Sequence, residues 1–353
     1  MSTTTSPNAL PADRSKPRSS ALTWLKRGAI GVAVTILGLA GLGAVYQVIA
    51  TRRDAQRFPP PGEMVDAGGY RLHLLVAGES HPAPTVILDT GLGIPSTFLA
   101  NLQEQVSSFA RVVTFDRPGI GWSDSPPAGQ THDALTIAHA LHTALANAGI
   151  PGPYVLVGHS AGGLDVLVFA DAYPQDTAGI VLMDATHPDQ FLRYPPEQAK
   201  GQQTAKNMSV MLSWGARLGI LRFINLPKML EADELGADQQ AVLQAQFASS
   251  RFGSGLQAEM NAWDLTFPQV RAIQSLGDIP LVALTAGMTA ELVPVQVELH
   301  LEYAALSTNS RQETVPGASH GRLGISPKYL PAVTGAIRQV LESAQTGQPL
   351  AAK

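Results

Sequence analysis

Ser160 lies in the run YVLVGHSAGG, residues 154–163, with glycine two positions before it and two after. In the pattern Gly158-His159-Ser160-Ala161-Gly162 a strand turns abruptly into a helix, and the serine is held in a strained conformation at the tip of the turn. A β-carbon at either flanking glycine would collide with the chain as it doubles back. The chemistry open to a serine so presented is nucleophilic attack. Its hydroxyl is a poor nucleophile at neutral pH, so attack also requires a base to take its proton and a carboxylate to orient that base. The blander reading of the same residues is a tight turn with a solvated serine, and the surrounding elements favour the nucleophile.

Those elements must hold the serine above a sheet. Val155, Leu156 and Val157 read as a short buried strand, and residues 163–173 as a helix that stops before Pro174. From Met64 onward, strand and helix patterns alternate. Residues 70–76 predict an antiparallel edge strand, and residues 85–88, 111–115, 179–183 and 281–285 predict short buried strands. Residues 133–148 carry Leu135, Ala138, Leu141 and Leu145 at helical spacing and end at Gly149. This alternation predicts a mostly parallel sheet covered by helices on both faces. In such sheets ligands sit beyond the carboxyl ends of the strands, where Ser160 falls. Two loops share that edge. Residues 89–95 contain glycines that let backbone N–H groups point inward, and residues 116–126 are dense in turn formers.

The chain has 353 residues and a formal net charge of −4, with no basic block outside its N-terminal region, which disfavours nucleic acid as a partner. It has no cysteine, so thiol catalysis, disulfides and cysteine metal sites are excluded. Residues 1–27 read as a disordered basic N-terminus. Residues 28–50 contain no charged side chain, and at about 1.5 Å per residue they span a bilayer's hydrocarbon core of about 30 Å. A cleavable signal ending at Val48-Ile49-Ala50 is the competing reading, but its apolar region should be shorter. Basic residues are more numerous before the span (Arg14, Lys16, Arg18, Lys26, Arg27) than after it (Arg52, Arg53, Arg57). That bias predicts a single-pass membrane protein with a cytoplasmic N-terminus and an extracytoplasmic globular domain. Residues 51–63, with Phe58-Pro-Pro-Pro-Gly62, read as a stiff linker.

Four motifs in order carry a resemblance: DRPGIGWSD at residues 116–124, GHSAGG at 158–163, VLMDATHPDQ at 181–190 and VPGASH at 315–320. Over residues 64–343 the chain resembles the α/β-hydrolase fold superfamily, within its bacterial branch of esterase-like enzymes. The resemblance implies a core made of residues 64–187 and 279–345, with a helical cap at 188–278.

The resemblance also implies the remaining parts of the mechanism. Of nine histidines, His320 is the expected base, because it follows a strand-like segment and the turn Pro316-Gly317 and precedes a final helix over 328–344. The usual acid position, after the penultimate core strand, lies in the loop 284–292, which has no aspartate; Glu291 is its one carboxylate. Some relatives draw the acid from the end of the strand before the cap, and Asp184 fits that pattern. Asp184 is favoured and Glu291 stays open, as does a purely structural role for Asp184 as a local N–H acceptor. The expected oxyanion donors are the backbone N–H groups of Leu92 and Ala161. His159 is the variable position of the elbow, and His187 is expected near the pocket. His139 and His142 lie one turn apart but lack an HExxH pattern, so neither a metal nor an organic cofactor is implied.

The cap reads as helices broken at Pro195-Pro196, Pro227 and Pro268. Its segment 209–225 is unusually apolar. Met211, Leu212, Trp214, Leu218 and Phe223 could line an acyl pocket, bury the cap on the core, or face a membrane near the anchor. The expectation is a serine hydrolase that cleaves an ester or related acyl bond of a small to medium apolar substrate. Carbon–carbon, amide or peptide hydrolysis and perhydrolysis use the same triad and stay open. Epoxide hydrolase and haloalkane dehalogenase relatives carry aspartate where Ser160 stands. A membrane-tethered binding protein without catalysis is the remaining rival.

Overall fold

The apolar runs become the middle of an eight-stranded sheet in the computed structural model, which describes residues 1–4 and 21–351. The strands are β1 (Glu63–Asp66), β2 (Arg71–Ala77), β3 (Thr85–Asp89), β4 (Val112–Phe115), β5 (Tyr154–His159), β6 (Thr177–Met183), β7 (Leu281–Ala286) and β8 (Ser310–Val315). Their spatial order is β1-β2-β4-β3-β5-β6-β7-β8. β2 runs antiparallel to β1 and β4, and every pair from β4 to β8 is parallel. Strands β3, β4, β5 and β7 are buried along their whole length, as parallel strands covered on both faces must be. β2 is not the edge strand the sequence predicts. The four-residue β1, too short to show an alternation, pairs outside it.

Helices Ala134–Asn147 and Gly162–Ala172 pack together on one face. The last helix, Leu330–Thr346, covers the other, where Val340 lies against Gly179 of β6. Asp133 caps the first of these helices by accepting from the Thr136 N–H. Between β6 and β7 the chain makes the helical cap, whose two longest helices, Gly201–Arg217 and Ser250–Ala272, pack against each other. Pro268 does not break the second of them, contrary to expectation. The carbonyl it leaves unbonded belongs to Asp264, one turn back on an exposed surface where water can satisfy it.

Among the described residues one helix, Ala21–Arg57, precedes the sheet, and it is long and apolar enough to cross a membrane. It runs past residue 50, where the span was expected to end, and takes up most of the expected linker. Residues 51–57 contain no glycine or proline, and Arg222 of the cap bonds to Thr51 and Asp54 in its last turns. Only residues 58–62 separate it from β1. Of the expected disordered N-terminus, residues 5–20 lie outside the described residues, and residues 21–27 are helical rather than disordered, since the helix starts at Ala21.

Candidate active site

β5 ends at His159 and the next helix begins at Gly162, so the chain reverses within two residues. Ser160 takes up this reversal with φ of 56°, a left-handed conformation that costs a non-glycine residue about 1–3 kcal/mol. Glycine is required on both sides. A Cβ on Gly158 would stand 2.5 Å from the Gly162 carbonyl oxygen, and one on Gly162 would stand 2.5 Å from that of Thr90. Backbone bonds lock the turn to the next strand: the Ser160 N–H donates to Met183 O, and the Thr186 N–H donates to Ser160 O.

Asp184 follows β6 directly, also at positive φ (45°), and is buried. His320 lies in the loop after β8. The structure brings the two together, with His320 Nδ1 donating to Asp184 Oδ2 across 2.6 Å. The Ala286 N–H donates to Asp184 Oδ1 at 3.0 Å, and the Thr289 hydroxyl donates to Oδ2 at 2.8 Å. The loop that lacks aspartate therefore supplies hydrogen-bond donors to the carboxylate next door. Glu291 lies in the last turn of that loop's short helix, Gly287–Leu292, and is exposed.

Electrostatics follow from this pairing. Burial alone would raise the Asp184 pKa, but the hydrogen bond and charge of His320, with the Ala286 N–H, hold it down at about 2. Burial opposes a charged His320, yet Asp184 outweighs it and raises the imidazole pKa. The His320 side chain keeps 49% of its surface exposed.

His159, the variable residue of the elbow, is more than filler. Its Nε2 donates to the His320 carbonyl at 2.9 Å, its ring lies 4.7 Å from the His320 ring, and Phe98 stacks on its other side. Burial, reinforced by His320, pushes its pKa down to about 3, which keeps it neutral. It positions the loop that carries His320.

Leu92 and Ala161 face one cavity of about 10 Å³, room for one water molecule. Among the described residues neither backbone N–H has an acceptor. Gly91 is pressed against the serine, since a Cβ there would lie 3.2 Å from Ser160 Cβ. The loop is clamped from below by Arg117, a fully buried residue of the DRPGIGWSD motif. Arg117 bonds to Asp89 (2.6 Å), Glu259 (2.8 Å), the Thr90 carbonyl (2.6 Å) and the Gly91 carbonyl. Glu259, from the long cap helix, also accepts the Gly93 N–H at 2.7 Å. Burial raises the Asp89 pKa to about 6 against the pull of Arg117, and burial with the nearby Asp89 pushes Asp165 well above the carboxylate range. Arg117 is thus balanced chiefly by Glu259 and Asp89. Neither Arg117 nor Glu259 was singled out from sequence. The signal available for Glu259 was a carboxylate embedded in the apolar stripe Leu256, Met260, Trp263.

The remaining candidates lie elsewhere. His187 is buried beside Glu302 and Tyr303 around a separate cavity of about 200 Å³. His139 meets the Tyr173 hydroxyl, and His142 pairs with Asp176. Among the described residues no cluster of three histidine, aspartate or glutamate side chains could hold a metal. In the cap, Met211, Trp214 and Phe223 are exposed and do not line the cavity beside Leu92 and Ala161.

Comparison with known proteins bears on the fold that carries this arrangement. The chain is 27% identical over 205 residues to epoxide hydrolase 4 of Mus musculus, covering 53% of this chain and 54% of that protein. It is 24% identical over 165 residues to the uncharacterized protein YbdG of Bacillus subtilis, covering 47% of this chain and 50% of the other. The chain therefore spans about half the length of these curated relatives. Among solved structures, a thermophilic esterase from Thermogutta terrifontis superposes with a TM-score of 0.56 at 19% identity, covering 79% of this chain and 98% of that one, a likeness of fold. The family model described as alpha/beta hydrolase fold matches residues 86–320, which run from β3 to His320 and enclose the elbow, the Asp184 strand end and the cap. By that match, and by the sheet order and elbow that account for it, the chain belongs to the alpha/beta hydrolase fold family.

Proposed function

We propose that the protein is a membrane-anchored serine hydrolase that cleaves a carboxylic ester, or a related acyl bond, of a small to medium apolar substrate. The observation that carries this reading is the 2.6 Å contact of His320 Nδ1 with Asp184 Oδ2, beside a serine strained at the tip of the β5 turn. A carboxylate in that place fixes the imidazole tautomer with Nε2 free to accept a proton. Ser160 Oγ attacks the acyl carbon while its proton passes to His320 Nε2. The oxyanion is received by the N–H groups of Leu92 and Ala161. Collapse expels the alcohol, which takes the proton from His320 and leaves an acyl-serine. Water then attacks the acyl carbon, His320 again accepts and returns the proton, and the acid is released as Ser160 is restored. The esterase of similar fold supports an acyl substrate, and serine at position 160 argues against the aspartyl chemistry of epoxide opening. The bias of basic residues before the N-terminal helix supports a catalytic domain on the extracytoplasmic side.

The test is labelling of the full-length protein in detergent with a fluorophosphonate, beside Ser160→Ala and His320→Ala. Labelling of the parent that disappears in both variants is expected. A folded parent that neither labels nor hydrolyses any activated ester would overturn the reading.

A further inference from the structure

The N-terminal helix and the cap are not independent bodies. At Gly43 they touch so closely that a Cβ would stand 2.5 Å from the Leu218 carbonyl oxygen. Tyr46 stacks on Phe223 with ring centroids 6.4 Å apart. Gln47 donates to the Ala248 carbonyl at 2.6 Å, and Arg222 binds both the Gln47 side chain (2.7 Å) and Asp54 (2.6 Å). The contact thus begins seven residues before Ala50, the end of the expected span, which at 1.5 Å per residue is about 10 Å inside it.

The aromatic residues of the helix put the interface at Tyr46, three residues or about 4.5 Å beyond Gly43. Trp24 and Tyr46 are 22 residues apart, about 33 Å along a helix, the separation expected of residues at the two membrane interfaces. Phe223, stacked on Tyr46, therefore lies at interface level. It is 81% exposed, and Trp214, Met211 and Ile220 on the same part of the cap are also exposed, Trp214 at 59%. The opposite face of this helix, Ser209, Ser213 and Ala216, is buried against the protein. Arg217 lies over the Trp214 ring, where its charge can reach lipid headgroups.

We infer that Met211, Trp214, Ile220 and Phe223 form a second membrane contact, seated in the interface of the bilayer that holds the N-terminal helix, and that the site draws its acyl substrate from that bilayer. The substrate half of this inference rests on the hydrolase reading above; the contact itself does not. The occupant is a lipid surface because the patch is continuous with a helix of spanning length and shares its depth. The helix that carries Met211 and Trp214 packs on Ser250–Ala272, which bears Glu259 over the Leu92 loop. An acyl ester dissolved in the leaflet thus starts next to the cap.

The chain has no cysteine, so a single one introduced as Phe223→Cys or Ile220→Cys, with Glu342→Cys on the last helix as control, can be labelled with an environment-sensitive fluorophore. In full-length protein reconstituted into phosphatidylcholine vesicles, blue-shifted emission and quenching by a lipid nitroxide are expected at 220 and 223 and not at 342. Emission at 220 and 223 equal to the control would overturn the contact. In the same vesicles, Trp214→Ser/Phe223→Ser should leave turnover of a water-soluble short ester unchanged. It should lower turnover of a long-chain ester held in the bilayer about tenfold, equivalent to losing about 1.4 kcal/mol of interfacial seating. Equal turnover of both esters by parent and variant would overturn the substrate claim. A parent inert toward both esters would instead count against the hydrolase reading, while the fluorescence would still decide the contact.

Discussion

Replacing Glu259 with leucine removes three hydrogen bonds at once, those from Arg117 Nε, from Arg117 Nη2 and from the Gly93 N–H. Both side chains are buried, so the lost carboxylate leaves a buried cation and a backbone donor without their acceptor. Breaking a buried pair in this way costs about 3–5 kcal/mol. Asp89 offsets part of that, because its pKa of about 6 reflects repulsion from Glu259 as well as burial, and without Glu259 it ionises more fully beside Arg117. Glu259→Gln should therefore be much milder, since it retains an acceptor for Gly93 and leaves the charge to Asp89. The catalytic consequence is separate from stability. Gly93 follows Leu92, and release of its N–H lets the Leu92 donor drift; loss of one such donor lowers kcat by about 10²- to 10³-fold. The assay is thermal unfolding of the full-length protein in detergent, with kcat and KM for a short activated ester measured below the transition. Glu259→Leu should show both losses and Glu259→Gln neither in full. A Glu259→Leu enzyme with reduced melting temperature and parental kcat would refute the link between the cap and the Leu92 loop.

Asp184→Asn should lower kcat by about 10⁴-fold through the wrong imidazole tautomer, while Glu291→Gln, which alters an exposed side chain, should be silent in the same assay. The pKa of His320 lies above its ordinary value of 6.5 because Asp184 outweighs burial, with Glu231 adding to the rise and neutral His159 beside it. Only neutral His320 accepts the serine proton, so kcat/KM should rise with pH through a limb above 6.5. A limb at or below that value would contradict the pairing. Ser160→Gly removes the nucleophile together with the φ 56° penalty, so an inactive variant about 1–3 kcal/mol more stable than the parent is expected in chemical denaturation. His159→Phe keeps the stack on Phe98 but loses the bond to the His320 carbonyl, which should cost about 0.5–1.5 kcal/mol and reduce kcat more than it changes KM.

Features set by neighbouring residues were legible in the chain alone. The reversal at Ser160 is decided by the sterics of residues 158–163, and the parallel strands by short apolar runs buried on both faces. The N-terminal helix was legible as a long apolar element because its uncharged length needs no partner to be recognised. Other features depend on residues far apart in sequence. Asp184 and Glu291 were both open because a carboxylate's partner is set by where β6 and β8 place it, 136 positions from His320. The edge strand β1 is four residues long and exists through its pairing with β2. The helix continues to Arg57 where a linker was read, since Arg222, 168 positions later, bonds to Asp54. Arg117 and Glu259 carry no local signal of a shared role and meet only when the cap folds over the sheet. Local sterics and apolar run length act within a few residues and are written directly in the sequence. Charge pairing, burial and the depth at which the cap meets the helix arise between distant segments, and only the tertiary structure decides them.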